Sequence, residues 1–468
     1  MTKIKFGTDG WRAIIAKDFT VENVARVAEA TAKWLLAKHK QPVIVLGHDC
    51  RFAGPLFAET AAKVFLANGI KVHLAEGYVS TPMISLGAVK LKTHLGIIIT
   101  ASHNPPSYNG YKIKGHFGGP LAPEEVQEVE DMIPATANAN YEAVNLTEEK
   151  TKGNLLKADL EAMYIKHVEE NFDLNAIRNS GLKFAYDAMY GAGQGVMKKL
   201  FPDMPKLHCD ENPGFEGQAP EPIHKNLLPF SKFIKEQGDI ASGLATDGDA
   251  DRIGLYDSKG NFVDSHHIIL LLIHYLVKYK GMNGKVAVAF STSVKIKNMC
   301  AHYNLPLDVV KIGFKYICSI MVKEDVLLGG EESGGIAIKG HIPERDGIWM
   351  GLTIWEFMAK SGKSLNQLIE EVYAITGPFC FDRNDLHIDE SIKQKVLSNC
   401  KAGTYKSFGK YTVSRVDDLD GFKYFFDDNT WMMIRASGTE PVLRVYAEAA
   451  SQEQVNDILA SAKQVLLA

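Results

Sequence analysis

Three stretches of the chain follow one plan, and that repetition restricts the fold more than any other feature of the sequence. Each opens on an apolar, β-branched run that predicts a buried parallel strand: Pro42-Val-Ile-Val-Leu-Gly47, Leu182-Lys-Phe-Ala-Tyr186 and Lys285-Val-Ala-Val-Ala-Phe290. A helical stretch then leads to a second strand candidate, Lys71-Val-His-Leu74, Lys206-Leu-His-Cys209 or Asp308-Val-Val-Lys-Ile312. A third strand runs into a polar loop: Thr100-Ala-Ser-His-Asn-Pro105, Thr246-Asp-Gly-Asp-Ala-Asp-Arg252 or Gly329-Gly-Glu-Glu-Ser-Gly-Gly335. Strands alternating with helices imply parallel sheets, whose ligands sit outside the carboxyl ends of the strands, where all three loops fall. The expectation is three similar α/β domains with mixed, mainly parallel sheets, each giving one loop to a shared central cleft.

The tail departs from this plan. After Thr376-Gly-Pro378 come strand-like Tyr411–Arg415, Lys423–Phe426, Trp431–Ile434 and Val442–Tyr446, then a helix Gln452–Leu467, which together predict a smaller C-terminal α+β domain. Ala135–Lys152, with its alanines, asparagines and charges, reads as a surface linker. The expected domains are 1–150, 151–256, 257–375 and 376–468, within the two to four that 468 residues allow.

Charge narrows the partners. Lys+Arg minus Asp+Glu is 52 − 56 = −4, without the basic surplus that binding a phosphate backbone requires, so nucleic acid is not expected. The six cysteines lie far apart with no C-x-x-C pair, and read as reduced thiols. The longest strongly apolar stretch, Ile268–Ile273, is too short to span a bilayer, and the amino terminus lacks an apolar signal region, so a cytoplasmic protein with no membrane partner is expected, as monomer or homodimer.

Chemistry concentrates in the loops. Asp247, Asp249 and Asp251 alternate, so an extended or looped backbone can aim three carboxylates at one point. Unpaired they would repel, and a hard cation such as Mg²⁺ relieves the repulsion. An EF-hand is excluded because its sixth position is Arg252 and its twelfth Ser258; a solvated acidic turn is the alternative. Ser102 sits at a strand's carboxyl end beside His103, braced by Asn104-Pro-Pro106, placed as a nucleophile or phosphate carrier or as ordinary turn chemistry. Lys112 and Lys114 follow as cations. Gly330-Glu-Glu-Ser-Gly334 offers acceptors at a density that suits sugar hydroxyls, or a polar turn. Arg435-Ala-Ser-Gly-Thr-Glu-Pro441 with Arg444 has the makings of a phosphate clamp, and Gly7-Thr-Asp-Gly-Trp-Arg12 is a second arginine loop. Gly191-Ala-Gly-Gln-Gly195 misses the dinucleotide spacing at Val196, and close helix packing explains its glycines.

These motifs, in this order and over nearly the whole chain, resemble the α-D-phosphohexomutase superfamily, the bacterial phosphoglucomutase and phosphomannomutase group. The resemblance implies four domains around a cleft, a phosphoserine at Ser102, and Mg²⁺ held by Asp247, Asp249, Asp251 and a phosphoserine oxygen of Ser102. It also implies that Glu331 and Ser333 hold the sugar hydroxyls, and that Arg435, Ser437, Gly438, Thr439 and Arg444 anchor the non-reacting phosphate. Arg12, His103, Lys112 and Arg252 map near the transferred group. The expected reaction interconverts hexose 1-phosphate and hexose 6-phosphate through a hexose 1,6-bisphosphate, which also serves as activator, with a hinge near Gly377-Pro378. In the sugar loop Glu332 stands where phosphoglucosamine mutases carry Gln, and Gly335 where they carry His, which points to glucose or mannose. Ala13 stands where many relatives have Gly. A phosphoglucosamine mutase, a metal-dependent sugar phosphatase and a non-catalytic sugar-phosphate binder are the alternatives.

Overall fold

A computed structural model describes residues 3–436 and 442–467. The chain divides into two compact units, residues 1–285 with 313–368, and residues 286–312 with 369–468.

The first unit contains two complete sheets. In the larger, six strands run in the order Trp11–Ile14, Tyr108–Gly115, Leu95–Ile99, Val43–His48, Lys71–Ala75 and Leu155–Ala158. The last four are parallel, and the first two are antiparallel to their neighbours. Leu-Gly-Ile-Ile-Ile is buried at every position, as a strand covered on both faces must be. The helix Val21–Lys38 lays Val24, Val27 and Leu35 on this core. It starts where the Thr20 hydroxyl accepts the Asn23 N–H, with Glu22 in its first turn and Lys38 in its last, each favourable to the helix dipole.

The second sheet runs Phe262–Val263, Ile253–Asp257, Ile240–Thr246, Lys183–Asp187 and Lys206–Leu207. Lys183–Asp187 is parallel to both its neighbours, while Ile253–Asp257 returns antiparallel. The strand Val326–Gly330 likewise turns back into antiparallel Ile336–Ile338. Each polar loop therefore joins a strand to an antiparallel partner and is pinned by sheet hydrogen bonds at both ends. The first return strand, Tyr108–Gly115, is hidden in the sequence because it carries buried Asn109, Lys112 and Lys114.

The supposed linker is folded. Short helices occupy Ala139–Ala143 and Leu146–Thr151, and Ala137, Tyr141, Val144 and Leu146 pack against the first core. The strand Leu155–Ala158 then completes the first sheet, past the expected boundary at residue 150. Apolar side chains spread among polar ones concealed this segment.

In the second unit, an antiparallel sheet runs Cys380–His387, Val442–Ala449, Trp431–Ala436, Phe422–Phe425 and Arg415–Asp417. Val455, Ile458 and Leu459 of the helix Gln452–Leu467 pack on one face. Phe290, Phe425, Trp431, Met433 and Tyr446 form a separate apolar cluster of this unit, to which the parallel pair Lys285–Ala289 and Leu307–Val310 leads. Among the described residues, no helix is long and apolar enough to cross a membrane.

Candidate active site

Ser102 is buried at the end of Leu95–Ile99, with a left-handed backbone, φ 52°. That conformation costs a non-glycine residue roughly 1–2 kcal/mol and needs support from its surroundings. Support comes from Thr100, whose hydroxyl oxygen accepts the Ser102 N–H at 2.9 Å, and from Arg51, whose guanidinium donates to the Ser102 carbonyl at 2.7 Å. The Ser102 Oγ donates to Asp247 Oδ2 at 2.7 Å and lies 3.4 Å from His103 Nδ1.

The acidic loop meets the serine from the second sheet. Asp247, Asp249 and Asp251 are fully buried, and each offers a carboxylate oxygen within 4.8 Å of the others. Gly248 makes the approach possible, since a Cβ there would stand 2.5 Å from the Ser102 carbonyl oxygen. Gly191 lies beneath the loop for the same reason, with an added Cβ meeting the Asp247 carbonyl at 2.6 Å. Its glycine-rich turn is a platform for the acidic loop, through the Ala192 N–H bond to the Gly248 carbonyl at 3.0 Å.

Cations surround the triad. Lys112 Nζ lies 2.7 Å from Asp249, 3.1 Å from Asp251 and 2.8 Å from Asp9. Arg345 pairs with Asp251 at 2.7 Å and with Asp9. The Thr81 hydroxyl donates to Asp249 Oδ2. Burial raises Asp247 far above the usual carboxylate range, reinforced by the charges of Asp249 and Asp251. Burial acts the same way on Asp249, but Lys112, Thr81 and Arg345 together outweigh it and hold this carboxyl below its ordinary value. His103 is pushed well down, first by burial and then by Arg252, Arg12 and Lys112, which keeps its ring neutral. The δ1 oxygens of Asp249 and Asp251 are buried without a hydrogen-bond partner. Two orphaned carboxylate oxygens beside Asp247 and a serine hydroxyl are an all-oxygen donor set of the kind a hard divalent cation takes, so these residues fit Mg²⁺.

Arg12, Arg252 and Glu331 lie around the same place. Arg12 donates to Asn104 Oδ1 at 2.7 Å, and the Arg252 backbone N–H donates to Asp247 Oδ1 at 3.1 Å. An isolated bridge between Arg252 and Gly335 ties the acidic loop to the Glu-Glu-Ser loop. There Glu331 accepts the Gly313 N–H at 2.8 Å, and burial raises its carboxyl to about 7 despite the nearby Arg345. Ser333 is partly buried in that loop. In the second unit, Arg435 and Arg444 are register partners on adjacent strands, 3.4 Å from Asp420 and 3.9 Å from Asp385 respectively. Ser437, Gly438 and Thr439 lie outside the described residues.

Sequence reasoning missed Asp9, Asp49, Arg51, Thr81 and Arg345. Asp49 and Arg51 directly follow the strand Val43–His48, so the carboxyl-end rule that found the other loops applies to them too. Asp9 lies inside the Gly7–Arg12 loop, where the arginine alone stands out. Arg345 carries no local signal for the site, because the site carboxylates it pairs with, Asp251 and Asp9, are 94 and 336 positions away (345 − 251 and 345 − 9).

Comparison with known proteins agrees with the fold. Residues 3–140, 162–260 and 264–375 match alpha/beta/alpha domains I, II and III of phosphoglucomutase/phosphomannomutase, and residues 392–464 match its C-terminal domain. A phosphoglucomutase/phosphomannomutase of Thermococcus kodakarensis is 28% identical, over 97% of this chain and 96% of its own. A phosphoglucosamine mutase of Limosilactobacillus reuteri is 30% identical, over 97% and 95%. The crystal structure of a Thermus thermophilus protein described as a phosphomannomutase covers all of both chains, with 32% identity and a TM-score of 0.87. The chain belongs to the phosphoglucomutase/phosphomannomutase family of the α-D-phosphohexomutase superfamily, whose members are phosphohexomutases.

Proposed function

We propose that the protein interconverts hexose 1-phosphates and hexose 6-phosphates of glucose, and of mannose as a second pair, through a phosphoserine at Ser102 and a hexose 1,6-bisphosphate. The observation that carries this is the Ser102 Oγ, buried and 2.7 Å from the Asp247 carboxylate of a buried acidic triad. When Ser102 carries a phosphoryl group, its Oγ–P bond breaks as a P–O bond to the free sugar hydroxyl forms. The proton lost by that hydroxyl is regained by the serine oxygen. The bisphosphate then turns over and returns its other phosphate by the same exchange in reverse.

Asp247, Asp249 and Asp251, with a phosphoserine oxygen, would hold Mg²⁺, which spreads the charge of the transferring group. Lys112, Arg12 and Arg252 neutralise the equatorial oxygens, and neutral His103 stands beside the serine to exchange a proton. Glu331 and Ser333 orient the sugar by its hydroxyls. Arg435 and Arg444, with Ser437, Gly438 and Thr439, grip the phosphate that is not reacting.

The second candidate substrate is glucosamine phosphate, favoured by the name of the 30% identical Limosilactobacillus relative. Glucose, mannose and glucosamine 1-phosphates are assayed side by side with Mg²⁺ and a bisphosphate primer, and glucose 1-phosphate is expected to give the highest kcat/KM. Intact mass should show a phosphate that Ser102→Ala lacks. Full mutase turnover by Ser102→Ala sinks the mechanism, and faster release of free phosphate than isomerisation makes the protein a phosphatase.

A further inference from the structure

The Ser102 loop is held from beneath by one side chain. Arg51 is 2% exposed and reaches the loop from the end of a different strand. Its Nη2 donates to the carbonyls of Ser102 at 2.7 Å and Asn104 at 2.6 Å, and its Nη1 to those of Pro105 at 2.9 Å and Tyr108 at 3.0 Å. One guanidinium thus satisfies four main-chain acceptors across seven residues, a span that contains two prolines and joins a ladder only at Tyr108. Such carbonyls, if buried and unpaired, destabilise a loop, and a planar fork of fixed donors sets the directions from which they can be met.

Arg51 is itself fixed. Its own N–H donates to Asp49 Oδ1 at 2.9 Å, and its Nε lies 3.5 Å from Asp49 Oδ2. Asp49 also accepts the Thr100 hydroxyl, the group whose oxygen takes the Ser102 N–H. The Phe215 ring lies 5.1 Å from the guanidinium carbon. Ser102 is therefore gripped on both sides of its left-handed backbone, at N–H through Thr100 and Asp49 and at the carbonyl through Arg51. The Ser102 carbonyl is also the atom against which Gly248 of the acidic loop is packed. Arg51 sets the height of the serine and its distance from the triad together.

We propose that Arg51 is a positioning residue for phosphoryl transfer: it touches no reacting atom, and it holds the Ser102 backbone in the strained conformation that aims Oγ at Asp247. The proposal rests on the mutase function set out above. Lysine keeps the charge at position 51 but cannot span four carbonyls, whereas a purely electrostatic role would survive that change.

Arg51→Lys and Arg51→Gln are compared with the full-length protein for kcat and KM on glucose 1-phosphate with Mg²⁺ and bisphosphate, for thermal midpoint, and for amide hydrogen exchange of the peptide covering residues 101–110. The expected result is a folded Arg51→Lys with kcat about 100-fold lower and KM within about threefold of the parent, as small misplacement of a reacting group gives. Exchange is expected to rise in 101–110 and to stay unchanged in the strands of the second unit. Unchanged kcat and unchanged exchange in Arg51→Lys overturn the proposal. So does global unfolding of both variants, which would make Arg51 a stabiliser of the whole unit. If the parent isomerises no hexose phosphate, the mutase function fails, while the exchange measurement still decides whether Arg51 fixes the loop.

Discussion

The hydroxyl of Ser102 and the carboxylate of Asp247 meet at 2.7 Å although 145 positions separate them in the chain. Ser102 has no charge of its own to attract an acid, so their proximity is imposed by backbone: the left-handed turn at Ser102 on one side and the missing Cβ of Gly248 on the other. The serine and the acidic triad form one unit of geometry, and changes at either loop are felt at the other.

Gly248→Ala tests that coupling. Its Cβ would stand 2.5 Å from the Ser102 carbonyl oxygen, a main-chain atom that cannot swing aside. The loops must separate, and kcat is expected to fall about 100-fold with a loss of about 1–3 kcal/mol in stability. Steady-state kinetics and urea denaturation measure both.

Asp249→Asn removes the carboxylate shared by Lys112 and Thr81. Mg²⁺ affinity is expected to drop by about 100-fold or more, since the amide brings no charge to a hard cation. Calorimetric titration with Mg²⁺ reports the loss, and turnover should then need correspondingly higher Mg²⁺.

Lys112→Met leaves Asp9, Asp249 and Asp251 buried around an uncharged side chain. Breaking a buried ion pair from one side costs about 3–5 kcal/mol, and metal-free denaturation should show it. Added Mg²⁺ should recover part of the stability, because a ligand bound only by the folded state shifts the equilibrium toward it.

Asp346→Ala tests the helix cap that adjoins Arg345 and the acidic loop. This buried carboxylate accepts the Tyr164 hydroxyl at 2.7 Å and the Trp349 N–H at 3.0 Å that caps the helix Gly347–Ser361, and it lies 2.9 Å from His341 Nε2. Losing the cap and orphaning buried partners is expected to cost about 3 kcal/mol by urea denaturation.

His167 gives stability an acid limb. Burial, then the positive charges of His341 and Lys90, lower its pKa to about 4 against the opposing Asp346 and Glu170, from 6.5 in the unfolded chain. The unfolded state therefore takes up the proton first, so this contribution is complete above pH 6.5 and fades as pH falls toward 4. Denaturation midpoints of His167→Gln across pH 4–8 should decline less steeply below 6.5 than those of the parent.

The site loops were legible because each compresses its chemistry into a few adjacent residues, as with Asp247, Asp249 and Asp251 at the end of an apolar strand. The buried parallel strands were legible for the same local reason: Leu95–Ile99 carries no polar residue to disguise it. What escaped is whatever depends on distant partners. Lys112 and Lys114 read as cations with nothing local to show their burial, and they lie fully buried because Asp9, Asp249, Asp251 and Glu344 arrive from elsewhere in the chain. Tyr141 and Leu146 read as part of a linker, because the core that half-buries them is built by residues far upstream.

The ion pairs that join Asp9, Lys112, Asp251 and Arg345 bear on the order in which the molecule forms. The Asp9–Arg345 pair closes over 336 positions, more than three times the span of the Trp11–Tyr111 pairing in the first sheet, so it comes after the sheets have shortened that loop. During refolding, far-ultraviolet ellipticity should return before activity does. The interval between the two is the lifetime of an intermediate that has its sheets but not yet its catalytic centre.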